Sequence, residues 1–133
     1  MTAIDDTTLI NLEDITPATM TVAMFDREPC DLTANTDLVF RSGYDDLDYL
    51  NFAMLTLPSG HDVTLVRHQG SPQPGTELCV RSNLENVASV IRETCVFLNV
   101  NESSLQWIHP NIKQQITAAN SVHKLNIGMS FTR

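Results

Sequence analysis

The sequence predicts an α+β domain in which an antiparallel sheet of about five or six strands packs against one main amphipathic helix. Three observations predict it. Residues 19–26, 50–57, 62–68 and 76–81 are short, β-prone runs that alternate or are bounded by turn chemistry. One apolar stripe at helical spacing runs from Leu84 to Leu98. The strands come as a block before that helix, unlike the strand–helix alternation of a doubly wound parallel sheet.

Residues 1–17 read as a polar lead-in rich in Asp and Thr and closed by Pro17, disordered in part or pairing late with a sheet edge. The domain proper is expected over 18–133. Thr19 to Asp26 alternates, with Met20, Val22 and Met24 on one side and Thr21, Ala23 and Phe25 on the other. The polar stretch 27–36, with Pro29, Asp31 and Asn35, is a loop, and 37–42 is a short strand ending at Gly43.

Residues 44–57 fit either period, since Leu47, Leu50, Met54 and Leu57 have helical spacing while Leu50, Phe52 and Met54 alternate. The turn chemistry of Pro58-Ser59-Gly60-His61-Asp62 decides for a hairpin of strands 50–57 and 62–68, with a helical turn at 44–49. Two prolines and two glycines make 70–75 a loop, and Thr76 to Arg81 alternates again.

Ser82-Asn83-Leu84-Glu85 has the pattern of a capping box, which places the helix at 83–98 with its end near Asn99. Leu84, Val87, Ala88, Ile91, Cys95 and Leu98 form its apolar stripe. Residues 101–108 suit a turn and a short strand. Pro110 is well placed to open a candidate second helix to about Val122. Leu125, Ile127, Met129 and Phe131 alternate with polar residues, as in a half-buried strand.

Charge is unevenly spread. Residues 1–62 carry 12 acids and two bases, a net of 2 − 12 = −10, whereas 63–133 carry 6 bases and 4 acids, a net of +2. The acidic half would be repelled by phosphate backbones, so direct nucleic-acid binding is disfavoured. It suits a protein partner with a basic surface, a nucleic-acid mimic, or simply a solvated face. Three cysteines, Cys30, Cys79 and Cys95, are an odd, low count, and the N-terminus is acidic where an export signal would be basic. Both point to a cytoplasmic chain. No run is long and apolar enough to span a membrane.

No motif for nucleotide, metal or nucleophile chemistry stands out, and no cofactor is expected. The glycines form no phosphate-cradling pattern, and His61 and His68, seven residues apart on a strand, would face opposite ways. Cys79 shares a strand face with Glu77 and Arg81, an arrangement that would lower its thiol pKa. The reading is therefore a non-enzymatic interaction or regulatory module, with a homodimer compatible. Its surface would be Tyr44, Asp45, Asp46, Asp48 and Tyr49, where aromatic anchors sit beside carboxylates. The alternative is a small-ligand binder or minor enzyme with a pocket between helix and sheet, near Arg67, His68, Arg81 and Trp107.

Overall fold

In the computed structural model, residues 9–16, 19–34, 36–72 and 74–112 are described. Seven strands form one mixed sheet in the order β1-β3-β4-β5-β6-β2-β7. The strands are β1 (Ile10–Asn11), β2 (Thr19–Phe25), β3 (Arg41–Tyr44), β4 (Tyr49–Thr56), β5 (Asp62–His68), β6 (Thr76–Arg81) and β7 (Leu105–Ile108). Helices α1 (Leu12–Ile15) and α2 (Pro29–Leu32) are single turns, and α3 (Val87–Leu98) is the one long helix among the described residues. The class is α+β as expected. The sheet exceeds the expected five or six strands and is not purely antiparallel, because β1 joins β3 in parallel. A two-residue strand leaves no periodic signal to read.

The hairpin β4–β5 pairs without interruption from Leu50↔His68 to Thr56↔Asp62, and β6 continues the sheet through Val66↔Glu77 and Thr64↔Cys79. Val63, Leu65, Leu78 and Val80 thus face one way, onto Val87, Val90, Ile91, Cys95 and Leu98 of α3. Each such side chain, fully buried, contributes about 1.5–3 kcal/mol, so this layer is the main core. The opposite face carries a smaller cluster of Leu50, Phe52, Val66 and Cys79, covered by Leu12 with Ile10 at its edge.

Four local readings change. In β2 the register shifts between Thr21 and Ala23, so Val22, Ala23 and Phe25 are all buried in the main core. Thr21 and Met24 are left facing the other way, and the simple alternation of 19–26 is broken by this bulge. The strand expected at 37–42 lies at Arg41–Tyr44, and Gly43 belongs inside it. A Cβ on Gly43 would fall 2.5 Å from the Ile10 carbonyl oxygen and 3.0 Å from the Phe52 ring, so glycine there admits β1. The loop 27–36 contains the turn α2, which buries Leu32.

The capping box does not form either. Leu84 N–H donates to the Arg81 carbonyl (3.0 Å) in a turn that swings the chain off β6 onto the sheet face. The helix starts only at Val87, with Asn86 at its cap and no side-chain cap hydrogen bond. Its end is as expected, at Asn99 in the left-handed conformation. Residues 110–112 are helical and Ile112 is buried. The remainder of the helix expected to Val122, the strand expected at 125–131, and residues 1–8 of the lead-in lie outside the described residues.

Candidate functional site

The segment joining β3 to β4 is not the expected helical turn but a carboxylate-organised one. Asp45 Oδ1 accepts from the N–H groups of Leu47 (2.9 Å) and Asp48 (3.1 Å), and Asp45 N–H donates to the Asp48 carbonyl (3.1 Å). Short Asp side chains stabilise turns in this way. Asp48 in turn accepts from Tyr49 N–H (2.8 Å) through Oδ1 and from Gly70 N–H through Oδ2. Tyr44 and Tyr49 are cross-strand partners at the base of the turn. Leu47, 79% exposed, stands at its tip.

Asp45 also reaches inward. Its Oδ2 lies 2.7 Å from His68 Nε2, and His68 Nδ1 lies 2.8 Å from Glu77 Oε2. Glu77 Oε1 accepts from the Thr21 hydroxyl (2.9 Å), which also contacts Cys79 Sγ at 3.5 Å. Both ring nitrogens face carboxylate oxygens, and only the imidazolium can donate to both. Burial works against that charge, but the hydrogen bonds and charges of Asp45 and Glu77 outweigh it and raise the His68 pKa above 6.5. For Asp45, desolvation pushes the carboxyl up, while His68 and the two backbone N–H groups pull harder and leave it below its usual value. Outside this network, Glu13 on α1 is held above the ordinary carboxylate range, chiefly by the neighbouring Asp46 charge.

The expected surface residues therefore come together but differ in kind. Tyr44, Asp46 and Tyr49 are exposed, whereas Asp45 is turned inward as a clamp on His68. The four residues of the alternative pocket do not converge. Arg67 and His68, adjacent on β5, point to opposite faces, and Arg67 pairs with Glu28 (3.0 Å), whose other oxygen accepts from Gly75 N–H (2.9 Å). Arg81 lies at the opposite end of the sheet, on a groove shared with Ile15, Met54, Asp62, Thr64 and Cys79. Trp107 lines a separate hollow with Thr21, Met24, Pro74, Glu77 and Gln106. Both hollows are on the face away from α3, and the helix–sheet interface is packed core.

Cys79 corrects another expectation. Burial pushes its thiol up to about 12, so Arg81 does not activate it. His61 lies in the turn before β5, not on the strand, with its Nδ1 2.9 Å from the Ser59 hydroxyl. Among the described residues no group of three or more His, Cys, Asp or Glu has the arrangement to hold a metal ion, and no helix is long and apolar enough to cross a membrane.

Glu77, Thr21, Leu47 and Glu13 are not among the candidate site residues to which the sequence points. A signal existed for Glu77: counting outward from the 70–75 loop along paired strands brings it beside His68 on alternating positions. Glu13 had none, because α1 reaches the turn only through the parallel β1–β3 contact. The chain matches no known protein family, no curated protein and no solved structure.

Proposed function

We propose that this chain is a protein-interaction module that presents its β3–β4 turn to a partner with a basic surface. The observation that carries the reading is Leu47, 79% exposed at the tip of a turn fixed by Asp45. A large apolar side chain carried on a turn whose backbone is already fixed by hydrogen bonds saves the backbone-ordering cost on docking. Tyr44 and Tyr49 flank it as aromatic anchors, and Asp46 and Glu13 supply negative charge whose mutual repulsion a cationic partner would relieve. The −10 charge of residues 1–62 would steer such a partner from a distance.

The test is an amide chemical-shift titration with a capped Lys-Leu-Lys-Lys-Leu-Lys peptide. Shifts are expected at residues 44–49 and Glu13, and the pair Asp46→Lys with Leu47→Ser should abolish them. Asp45 is left intact because it holds His68. Shifts confined to other surfaces, with 44–49 silent, would overturn the reading.

A second reading, a small-ligand site, is favoured by the groove of about 520 Å³ between Ile15, Met54 and Arg81. Its lining sets the Arg81 cation beside the apolar Ile15 and Met54, with the Asp62 carboxylate taken up by the Thr56 hydroxyl (2.6 Å). A small amphipathic anion could use that arrangement at Arg81. A thermal-shift screen of short-chain carboxylates tests it, with any shift expected to vanish in Arg81→Ala.

A further inference from the structure

On the sheet face away from α3, Trp107, Met24 and Glu77 occupy one row across three adjacent strands. Register pairs Met24 with Trp107 on β7 and with Glu77 on β6. Neighbouring strands lie about 4.8 Å apart, so the indole and the carboxylate are rooted roughly 10 Å from one another with the Met24 thioether between them. Pro74 and Gln106 close the sides of this hollow, and Thr21 lies beside Glu77.

The hydrogen-bonding character of the hollow is one-sided. Gln106 Nε2 is spent on the carbonyls of Pro74 (2.8 Å) and Phe25 (3.4 Å), which leaves the amide oxygen as its remaining polar atom. The Thr21 hydroxyl donates to Glu77 Oε1. Glu77 is an acceptor at both oxygens. Among the described lining side chains, the indole N–H of Trp107 is thus the one donor not already directed at an acceptor of the protein, in a lining otherwise of acceptors. Two carboxylates, Asp45 and Glu77, flank the one His68 ring, so the network beneath is net negative whichever protonation state the ring holds. Trp107, 43% exposed, is braced edge-on by His109, with ring centroids 6.1 Å apart at 70°.

We infer that this hollow is a binding site for a guanidinium group, supplied by an arginine side chain of a partner protein. A planar cation stacks on an indole and donates in a fork to a carboxylate, and it places its own hydrogens where the hollow offers acceptors. The hollow is shallow and open at the surface, which suits the end of a side chain carried by a larger molecule. The hollow shares no lining residue with the 45–48 turn, although Glu77 and Asp45 meet at His68. The arginine and the turn are probed by different peptides and different readouts, so the failure of one reading is distinguishable from that of the other.

Trp107 is the single tryptophan of the chain, so its fluorescence reports on the site directly. The probe is a capped Gly-Gly-Arg-Gly-Gly peptide, compared with the same peptide carrying citrulline, which keeps the shape and loses the charge. A saturable change in emission is expected for arginine, with a dissociation constant on the order of millimolar, weakening with added salt. Citrulline should give none, and Glu77→Gln should weaken the arginine response about tenfold. The peptide comparison needs no variant and stands even if Glu77→Gln does not fold. An equal response to citrulline, or no saturable response to arginine, overturns the site. Methylguanidine binding tighter than the arginine peptide overturns its assignment to a protein side chain.

Discussion

Asp45 Oδ2 and His68 Nε2 lie 2.7 Å apart across 23 residues of chain, and that contact ties the exposed β3–β4 turn to the middle of the sheet. The same aspartate organises the turn through Oδ1, so one side chain sets both the shape of the surface and its anchorage. His68 passes the connection to Glu77 and thence to Thr21 on β2. Three strands, β5, β6 and β2, and the turn are joined through groups whose protonation matters.

The first prediction is a pH dependence of stability. Because the His68 pKa is raised in the fold, its contribution is fully present below the unfolded value near 6.5 and is lost as pH rises through the folded value. Deprotonation leaves one carboxylate facing a ring lone pair in place of a donor. Asp45 behaves oppositely: its lowered pKa gives stability that is present above about 3.8 and lost as pH falls through the folded value. The urea midpoint should therefore fall on the alkaline side of about pH 6.5 and again in acid. His68→Gln should flatten the alkaline limb and cost about 2–4 kcal/mol near pH 5.5, since it strands a half-buried carboxylate. An unchanged alkaline limb in that variant would refute the clamp.

Much of the sheet was legible because 49–56, 62–68 and 76–81 keep their period through uninterrupted pairing. Where the period was locally broken, reading failed. The bulge at Val22 moved Met24 to the open face, and Ser82 was drawn into a turn by the need to pivot from β6 to α3. The acidic, aromatic patch was visible as composition, but the inward role of Asp45 was not, since its partner comes from another strand 23 residues away. Arg67 and His68 are neighbours on β5 and so face opposite ways by the strand's period of two, which keeps them from sharing a pocket.

The loop between β5 and β6 gives a second prediction. Gly75 has φ +127°, a conformation L-residues rarely adopt, and a Cβ there would collide with the Phe25 carbonyl oxygen and the Gln106 side chain. Its N–H also donates to Glu28 (2.9 Å). Gly75→Ala combines backbone strain with a clash against main chain, and should cost about 2–4 kcal/mol. Gly60, also at positive φ but with open space around it, should lose only about 1 kcal/mol on the same change. Equal losses in a urea-denaturation comparison would argue against the close approach of the 74–76 segment to β2.

Helix α3 supplies a third. Asn99 closes it at φ 57°, with its N–H donating to the Val96 (3.1 Å) and Val100 N–H to the Cys95 carbonyl (3.0 Å). Asparagine tolerates this conformation and glycine adopts it without penalty. Asn99→Gly should stabilise by several tenths of a kcal/mol, and Asn99→Val should destabilise by about 1–2 kcal/mol. The thermal midpoints of the two variants should therefore move in opposite directions. Movement in the same direction would mean that Asn99 is kept for its side chain, not its backbone.

The cysteines give the last. Cys30 is exposed on α2, whereas Cys79 and Cys95 are buried. Burial raises the Cys79 thiol to about 12 and the Cys95 thiol to about 11, so neither forms appreciable thiolate at neutral pH and neither is sterically open. Of the three thiols, one should react with a disulfide reagent within seconds to minutes in the native protein, and all three after denaturation. Cys30→Ser should remove the fast phase and leave the slow one. The slow phase then measures opening: Cys79 lies against Thr21 beneath the Glu77–His68 network. Raising the pH through the His68 transition should quicken the labelling of Cys79 beyond the increase expected from thiolate formation alone. If Cys79 and Cys95 instead quicken in parallel, the network does not guard that face of the sheet.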